Sequence, residues 1–512
     1  MKNNNFYITT PIYYPSGEPH IGHAYSSIFA DVFARFKRND NCKVHFLTGT
    51  DEHGLKIQNV AEKEGLEPTI YCDKVSKVFQ NLSHTLNLSN DDFIRTTEKR
   101  HHEAVRDLWN RLVKSGDIYL SKYKGWYSVS DEAYYNSDEV IEKNGKKISS
   151  FSGSEVSWVE EDSFFFKLSA WEKKLLEFYE NNKKFILPLS RRNEVINFVK
   201  NGLKDLSISR TSFTWGIKVP ESENHIIYVW LDALTNYLSA LNYPDTKNKL
   251  FKTFWPATLH VIGKDILRFH AIYWPAFLLA AKIQPPMRIF GHGWILSGDE
   301  KMSKSKGNIL NPNELIMKYG VDEVRYYLMK EVSHGSDGKI SLKNLENCIN
   351  SDLANNYGNL CQRVFSFIKN NCSNKVFLSK TILQPDKEIL KQTKELSSSL
   401  RNLINDQNLN DYIKSVIMIS FITNKYINDE EPWKLKKNNI ERMNNILHIS
   451  LQQIAKISIL LNPIIPISTS KVLDALNIEK KNRDLSFIDG KEIFSDKIII
   501  KDLNILFKKI SQ

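Results

Sequence analysis

The sequence predicts an α/β fold in which a parallel-sheet domain is split by a small inserted domain and followed by an α-helical bundle. Three observations predict it. First, strand and helix signals alternate over residues 1–116. "NFYITTPIYY" reads as a buried strand feeding a Pro/Gly loop, and the next helix carries Ile28, Val32 and Phe36 on its period. "KVHFLTGTDEHG", residues 43–54, reads as a second strand and a Gly-rich turn, followed by the helical "LKIQNVAEKEG". Such alternation makes a parallel sheet. Second, from 117 to 222 the text turns to short, aromatic, turn-rich pieces such as "KGWYSVSDEAYY" and "SWVEEDSFFFKLS". After 223 buried strands are expected again, in "HIIYVWLDALTNYL" and "ATLHVIGKDILRFHAIYWPAFLL". Third, beyond about 350 helical spacing takes over. Ile413, Ile417 and Phe421 share one predicted face, as do Leu447, Leu451, Ile454, Ile457 and Leu461, before Pro463 and Pro466 end that helix. The expected domains are therefore 1–116 and 223–296 for the two sheet halves, 117–222 for the insertion, 297–350 for a linking region and 351–512 for the bundle.

Composition sets outer limits. A chain of 512 residues suits about three domains. With 41% hydrophobic and 25% charged residues it is an ordinary globular composition. The most apolar stretch, "AIYWPAFLLAA" at 271–281, is short and broken by Pro275, so no membrane span is expected. "MKNNNFYITTP" lacks the features of a signal peptide, and a cytoplasmic location is expected. Cys42, Cys72, Cys348, Cys361 and Cys372 form no CxxC pair and read as reduced, inert thiols. The net charge of +11 fits a polyanionic partner, and equally a solvated Lys-rich surface.

Two stretches carry chemistry. "PHIGH" places His20 and His23 where a loop should become a helix. Positions three apart share one helix face, and a helix N-terminus offers backbone N–H groups and a positive dipole end to phosphate. Gly22, without a Cβ, would allow close approach. A structural HxxH or a zinc site are the competing readings, although zinc needs further ligands and no cysteine is near. The second stretch, "SGDEKMSKSKGNIL" at 297–310, carries Lys301, Lys304 and Lys306 on a Gly-flanked loop. Such lysines can neutralise a departing pyrophosphate. Alone, an exposed basic loop explains them; the pairing with the two histidines is what is informative.

Together these motifs resemble the signature of class I aminoacyl-tRNA synthetases. The order of "TTPIYYPSGEPHIGH", "GTDEHG", "NEVINFVKNGLKDLSISR", "VWLDAL", "VIGKDILRFH", "FGHGWI" and "KMSKSKGN" is similar to the methionyl-tRNA synthetase family, over nearly the whole chain. The resemblance implies a Rossmann-like catalytic domain and a helical anticodon-binding domain. It implies catalytic roles for His20, His23, Lys301 and Lys304. It implies ATP contacts at these four and at Gly22, Gly263, Asp265, Gly293, Trp294, Met302, Ser303 and Ser305. Methionine is expected against Ile12, Tyr14, Asp51, Trp230, Ala233, Tyr237, Ile266 and His270. Asp51 suits the substrate ammonium, and the aromatic residues suit a polarisable thioether. Trp255 and Trp274 are expected in the core. Anticodon contacts are expected at Asn359, Arg363, Asn424, Pro432 and Trp433, where a Trp behind a Pro can stack a splayed base.

One departure stands out. Many members of the family carry zinc-binding CxxC knuckles in the insertion. Here Ser128 and Ser130 stand in the matching place and "FSGSEVSWVEE" holds no cysteine, so no structural zinc and no protein metal site are expected. His45, His84, His101 and His102 are read as packed or surface histidines. The implied reaction is activation of L-methionine by Mg-ATP to methionyl-adenylate and pyrophosphate, then transfer to the 3′-terminal adenosine of tRNA(Met), serving initiation and elongation. The short insertion looks too small for a separate hydrolytic domain. The chain's end at "LNILFKKISQ" favours a monomer. A class I synthetase for another amino acid, a nucleotidyltransferase and a non-catalytic RNA-binding protein share parts of the pattern.

Overall fold

A computed structural model describes residues 4–220, 222–297, 300–301, 310–332, 335–379 and 381–510. Its centre is a six-stranded parallel sheet. The strands are β1 (Asn5–Thr9), β2 (Lys43–Thr50), β3 (Asp92–Arg95), β4 (Ile186–Leu187), β5 (Leu259–Gly263) and β6 (Ile289–His292), in the order β3-β2-β1-β5-β6-β4. Every neighbouring pair is parallel. The order reverses between β1 and β5, and an open parallel sheet leaves a crevice at the carboxyl ends of its strands at such a point.

The pleat of β1 explains the two layers. Phe6 and Ile8 point into one core and Tyr7 into the other. The first core contains α1 (Ile21–Asn39), which runs back over the sheet, and continues without a break into the C-terminal helices. These include α3 (Val321–Glu331), α4 (Asn359–Asn371), α5 (Leu409–Glu430) and α6 (Ile440–Leu461). In α5, Ile413 and Ile417 are buried as expected, but Phe421 is exposed. Helix α6 stops at Leu461, and Pro466 opens the next helix, Pro466–Ala475.

The second core holds α2 (Val229–Ser239) and the inserted residues. Two expectations change here. "HIIYVWLDALTNYL" is a strand only to Ile227, and Ser222–Ile227 pairs antiparallel with Ser209–Arg210 and Lys218–Val219 outside the main sheet. The rest is α2, in which every residue except Trp230 is buried. A helix covered on all sides shows no amphipathic period, so its text reads like a buried strand. Secondly, the range 117–222 is not all insertion, because Ile186–Leu187 within it pairs with Ile289–Phe290 and forms the sheet's edge. The inserted sheet itself is antiparallel, with Leu206–Ser207, Ser157–Phe166, Ile118–Ser128 and Ala133–Tyr135 in that order.

One buried ion pair joins α1 to the helical region. Arg325 on α3 donates to Asp31 Oδ2 on α1 at 2.6 Å, and both side chains are fully buried. Its remaining N–H groups reach the carbonyls of Leu86, Pro463 and Ile464. Asp31 also accepts from Arg35 and from the amide and hydroxyl of Ser89. Burial alone would raise the Asp31 carboxyl, but Arg325 and Arg35 outweigh it and hold it below the usual carboxylate range. A depressed carboxyl contributes stability at neutral pH that is lost as pH falls through its folded value.

Removing one partner strands the other, so Arg325→Met is expected to cost about 3 kcal/mol, and Asp31→Asn combined with Arg325→Met distinctly less. Urea unfolding at pH 7 measures both. Equal midpoints for the single and double variants would show that the pair is not the strut joining these elements.

Candidate functional site

The crevice between β1 and β5 opens into a cavity of about 450 Å³. All eight residues expected around methionine line it: Ile12, Tyr14, Asp51, Trp230, Ala233, Tyr237, Ile266 and His270. So do His20, Gly22, His23, Gly263, Asp265, Gly293 and Trp294. The first set comes from the loop after β1, the end of β2, one face of α2 and the segment after β5. The second comes from the start of α1 and the ends of β5 and β6.

The histidines are held by their own helix. His20 is the N-cap of α1, and its Nδ1 accepts from the Gly22 amide at 3.1 Å. His23 Nδ1 accepts in return from the His20 amide at 3.0 Å. A backbone amide can only donate, so in each neutral ring the proton sits on Nε2. The rings stack with centroids 3.9 Å apart. Burial, with His20 alongside, holds His23 well below the usual imidazole value. The expectation of vacant first-turn amides is corrected here. Gly22 N–H is taken by His20, Ile21 N–H donates to Leu310 O at 3.2 Å, and His23 N–H to His20 O. The imidazoles therefore have to supply the donors that the helix end does not. Gly22 also proves necessary for a different reason, since a Cβ there would meet the His20 ring at 2.9 Å.

Asp51 is buried, and its Oδ1 has no hydrogen-bond partner. Burial, then the charges of Asp232, Glu132 and Glu52, push its carboxyl well above the usual range. Opposite it stands an apolar and aromatic wall. Trp230 stacks on Phe269 at 3.7 Å, and Tyr237 donates to or accepts from His270 Nε2 at 2.7 Å. His270 Nδ1 lies 3.0 Å from the Ile266 carbonyl, which can only accept, so Nδ1 carries the proton and Tyr237 donates to Nε2. Burial holds His270 down to about 4, so the ring is neutral at pH 7. Tyr14 donates to the His53 carbonyl at 2.7 Å. At the other end, Asp265 accepts from Trp294 Nε1 at 3.2 Å, and Lys264 sits over the Trp294 ring.

Of the lysine-rich stretch, Glu300–Lys301 is described as a short strand whose Lys301 backbone pairs with Leu296, next to the cavity-lining Ile295. Met302, Ser303, Lys304, Ser305 and Lys306 lie outside the described residues. The stretch rejoins at Leu310, which bonds to Ile21 at the start of α1. One end is therefore tied to the start of the histidine-bearing helix, and the other pairs with a strand residue next to the cavity lining.

Sequence reading missed the contribution of the insertion. Ser130, Glu132, Tyr134 and Phe151 line the same cavity. Glu132 stands in left-handed backbone (φ 49°), and its buried carboxylate accepts from Tyr127 and from the Lys56 amide at 3.1 Å. It thereby caps the Leu55–Lys63 helix, whose own N-cap, Gly54, has no side chain to do so. No signal in the aromatic text separated these residues from core. The expected knuckle site is an oxygen-rich knot. Asp131 accepts from Ser152, Ser154 and Tyr135, while Ser149 Oγ accepts from the amides of Phe151 and Ser152. Ser128 Oγ accepts from the Asp131 amide. At the spacing of a CxxC the partner of Ser128 is Asp131 rather than Ser130, which faces the cavity. Neutral hydroxyls already bonded to one carboxylate do not fit zinc. Among the described residues no three His, Cys, Asp or Glu side chains form a metal cluster. His101, read as a packed histidine, is fully buried.

In the helical region Asn359 is exposed at the start of α4, and Arg363 follows one turn on. The Arg363 guanidinium lies 5.5 Å from the centre of the Trp433 ring, which is 41% exposed, and donates to Asn428. Pro432 is buried at the first turn of Pro432–Leu435. Asn424 differs from these, since its amide donates to Asn356 Oδ1 between two helices. Among the described residues no helix is long and apolar enough to cross a membrane.

Comparison with known proteins gives the same outline. The family model for class I tRNA synthetases (M) matches residues 6–365, and that for the anticodon-binding domain of methionyl-tRNA ligase matches 381–512. The methionine–tRNA ligase of Rickettsia typhi is 48% identical over 513 residues, covering 100% of both chains. That of Brucella suis is 47% identical over 487 residues, 95% of this chain and 94% of its own. The Mycobacterium tuberculosis methionyl-tRNA synthetase solved with methionyl-adenylate superposes with a TM-score of 0.96 at 43% identity, covering 98% of this chain and 99% of that one. A split parallel sheet with paired histidines at its switch point, a helical C-terminal region and full-length likeness at this level place the chain in the methionyl-tRNA synthetase family, among the class I aminoacyl-tRNA synthetases.

Proposed function

We propose that the cavity between β1 and β5 binds L-methionine and Mg-ATP side by side and joins them as methionyl-adenylate, before transfer to the 3′-terminal adenosine of tRNA(Met). The observation that carries this reading is the convergence, on one cavity, of a buried carboxylate whose Oδ1 has no hydrogen-bond partner, an aromatic wall and two stacked imidazoles whose Nδ1 atoms are engaged by backbone amides. Asp51 takes the ammonium. Trp230, Ala233, Tyr237, Ile266 and His270 enclose the thioether, with Ile12 and Tyr14 completing the wall. Gly263, Asp265, Gly293 and Trp294 hold the adenosine.

In the first step a substrate carboxylate oxygen attacks the α-phosphorus, the bond to the bridging oxygen breaks, and pyrophosphate leaves. The nucleophile is already anionic, so positioning and charge stabilisation are what the protein must provide. His20 and His23 donate from Nε2 to the phosphate oxygens. Lys301, Lys304 and the backbone from Met302 to Ser305 screen the pyrophosphate as it departs, and the magnesium travels with the nucleotide. In the second step a ribose hydroxyl attacks the activated carbonyl and AMP leaves. Asn359, Arg363, Pro432 and Trp433 form the anticodon platform; Asn424 supports it from within.

The raised Asp51 carboxyl gives a pH signature. The ammonium binds the carboxylate, so the KM for methionine should climb as pH falls below the Asp51 value, by about tenfold per pH unit. The neutral His270 does not titrate above pH 5. Methionine-dependent ATP–pyrophosphate exchange from pH 5 to 8 measures this; Asp51→Asn should raise the KM about 100-fold and flatten the profile. A profile that kept its slope in Asp51→Asn would assign the titration elsewhere. Lys301→Ala should lose most exchange activity while still binding methionine by calorimetry, and near-normal exchange would remove Lys301 from the mechanism. Trp433→Ala should lower kcat/KM for tRNA by about tenfold, the loss of one stacked base, with adenylate formation intact. An equal fall in both steps would make Trp433 a structural residue.

A further inference from the structure

We propose that Asp232 is a positioning residue that fixes the distance between the ammonium anchor and the side-chain wall, and so sets which amino acid fits; this rests on the reading of the cavity as the methionine site. The two ends of the amino acid are held by separate elements. Asp51 lies on the loop that leaves β2, whereas Trp230, Ala233 and Tyr237 lie on one face of α2. That spacing gives an apolar face of period three to four, and it leaves Asp232 and Ser239 on the opposite side.

Asp232 is fully buried and both its oxygens are used. Oδ2 accepts from His53 Nδ1 at 2.6 Å, and Oδ1 accepts from His101 Nε2 at 2.6 Å. His101 Nδ1 completes its bonds to Ser239 Oγ at 2.9 Å, so this ring is clamped at two points one face of α2 apart. His53 is two residues beyond Asp51, and its carbonyl accepts from Tyr14, a further residue of the cavity wall. One carboxylate thus ties α2 to the loop that carries Asp51, and the His101 helix, Lys99–Lys114, braces the tie from behind.

The arrangement matters for selectivity because the cavity must tell amino acids apart by length. One methylene in an apolar pocket is worth about 1–3 kcal/mol, and only when the walls do not shift to accommodate it. A carboxylate bonded at both oxygens in a buried place resists such a shift, since breaking either bond leaves a buried charge short of a partner.

The test is ATP–pyrophosphate exchange with methionine and with norleucine. Asp232→Asn keeps the volume but presents an amide to one of two N–H groups. It should raise the KM for methionine by about tenfold, leave the KM for ATP within about twofold, and narrow the methionine-to-norleucine ratio of kcat/KM by about threefold. His53→Asn can place an N–H where Nδ1 stood and should retain the wild-type values. His53→Ala should reproduce Asp232→Asn, and this pair carries the test if Asp232→Asn does not fold. The proposal is overturned if the KM values for methionine and ATP move together, if only the melting temperature falls, or if His53→Asn and His53→Ala behave alike. Asp51→Asn separates the two levels of failure. A normal methionine KM in that variant overturns the site and the proposal together, whereas a raised KM there with an unchanged one in Asp232→Asn overturns the proposal alone.

Discussion

The reciprocal cap made by His20 and His23 is the constraint on which the site depends. An ordinary N-cap uses a short hydroxyl or carboxylate to satisfy one amide. Here two imidazoles do this work for each other's backbone, and the same bonds decide the chemistry of both rings. Protonation of His23 Nδ1 would set a donor against a donor, so the cap adds to the burial that opposes its charged form. The two stacked rings face the cavity, fixed by a helix whose interior residues are almost all buried. The site is therefore rigid where phosphate charge must be met. Such preorganised donors stabilise developing charge without reorganising as the reaction proceeds.

The amino-acid end obeys the opposite logic, an excess of buried acid. Asp51, Glu52, Glu132 and Asp232 are all buried around one loop. Three of them have local partners. Glu52 forms a two-point pair with Arg95 and accepts from Thr97, Glu132 caps the Leu55–Lys63 helix, and Asp232 is bridged by His53 and His101. Asp51 alone is left with an oxygen facing the cavity, surrounded by like charge. Each of the three satisfied carboxylates also fixes a piece of backbone beside it. The loop is thereby held open toward a cation that the protein itself does not supply. Gly54 belongs to the same economy of space. Its positive φ suits glycine, and a Cβ there would meet the Tyr14 hydroxyl at 2.6 Å and Glu132 at 2.9 Å.

Much of this was legible in the sequence, for identifiable reasons. β1 and β2 read correctly because each is a short apolar run closed by a Gly/Pro turn, and the "PHIGH" stretch put the start of α1 near His20 to His23, where it begins at Ile21. The eight residues expected around methionine came from motif order, not from periodicity, and they line one cavity because the loop after β1, the end of β2, one face of α2 and the segment after β5 meet at the sheet's reversal. The misreadings have physical causes too. α2 looked like a strand because almost every side is covered. The first-turn amides of α1 looked vacant because capping by histidine has no familiar signature and the bond from Leu310 is remote in sequence. Glu132 and Asp131 were hidden in an aromatic stretch, since nothing local distinguishes a carboxylate turned into a neighbouring domain from one turned to water. Asn424, expected among the anticodon contacts, directs its amide at Asn356 inside the bundle, a partner remote in sequence.

Helix α1 also explains how the helical region and the site belong to one body. Its first residues hold the imidazoles, its middle holds Asp31 against Arg325 of α3, and near its end Lys37 donates to Asn405. A helix of this length is a rod about 28 Å long, and its interior bonds resist bending over that distance. The same apolar core that buries α1 runs on through α3, α4, α5 and α6 to the platform of Arg363 and Trp433. Arg325 contributes more than cohesion to this body, because its four acceptors come from α1, from Leu86 at the C-terminal end of the Pro68–Thr85 helix and from the loop between α6 and the next helix. A guanidinium satisfied from three directions permits only one mutual placement of those elements. Further bonds join the sheet to the helical region, since Arg288 beside β6 donates to Gln407 at 2.9 Å and Lys184 pairs with Asp406, so the histidine pair is placed relative to the bundle by the buried guanidinium, the rigid helix and these ties together.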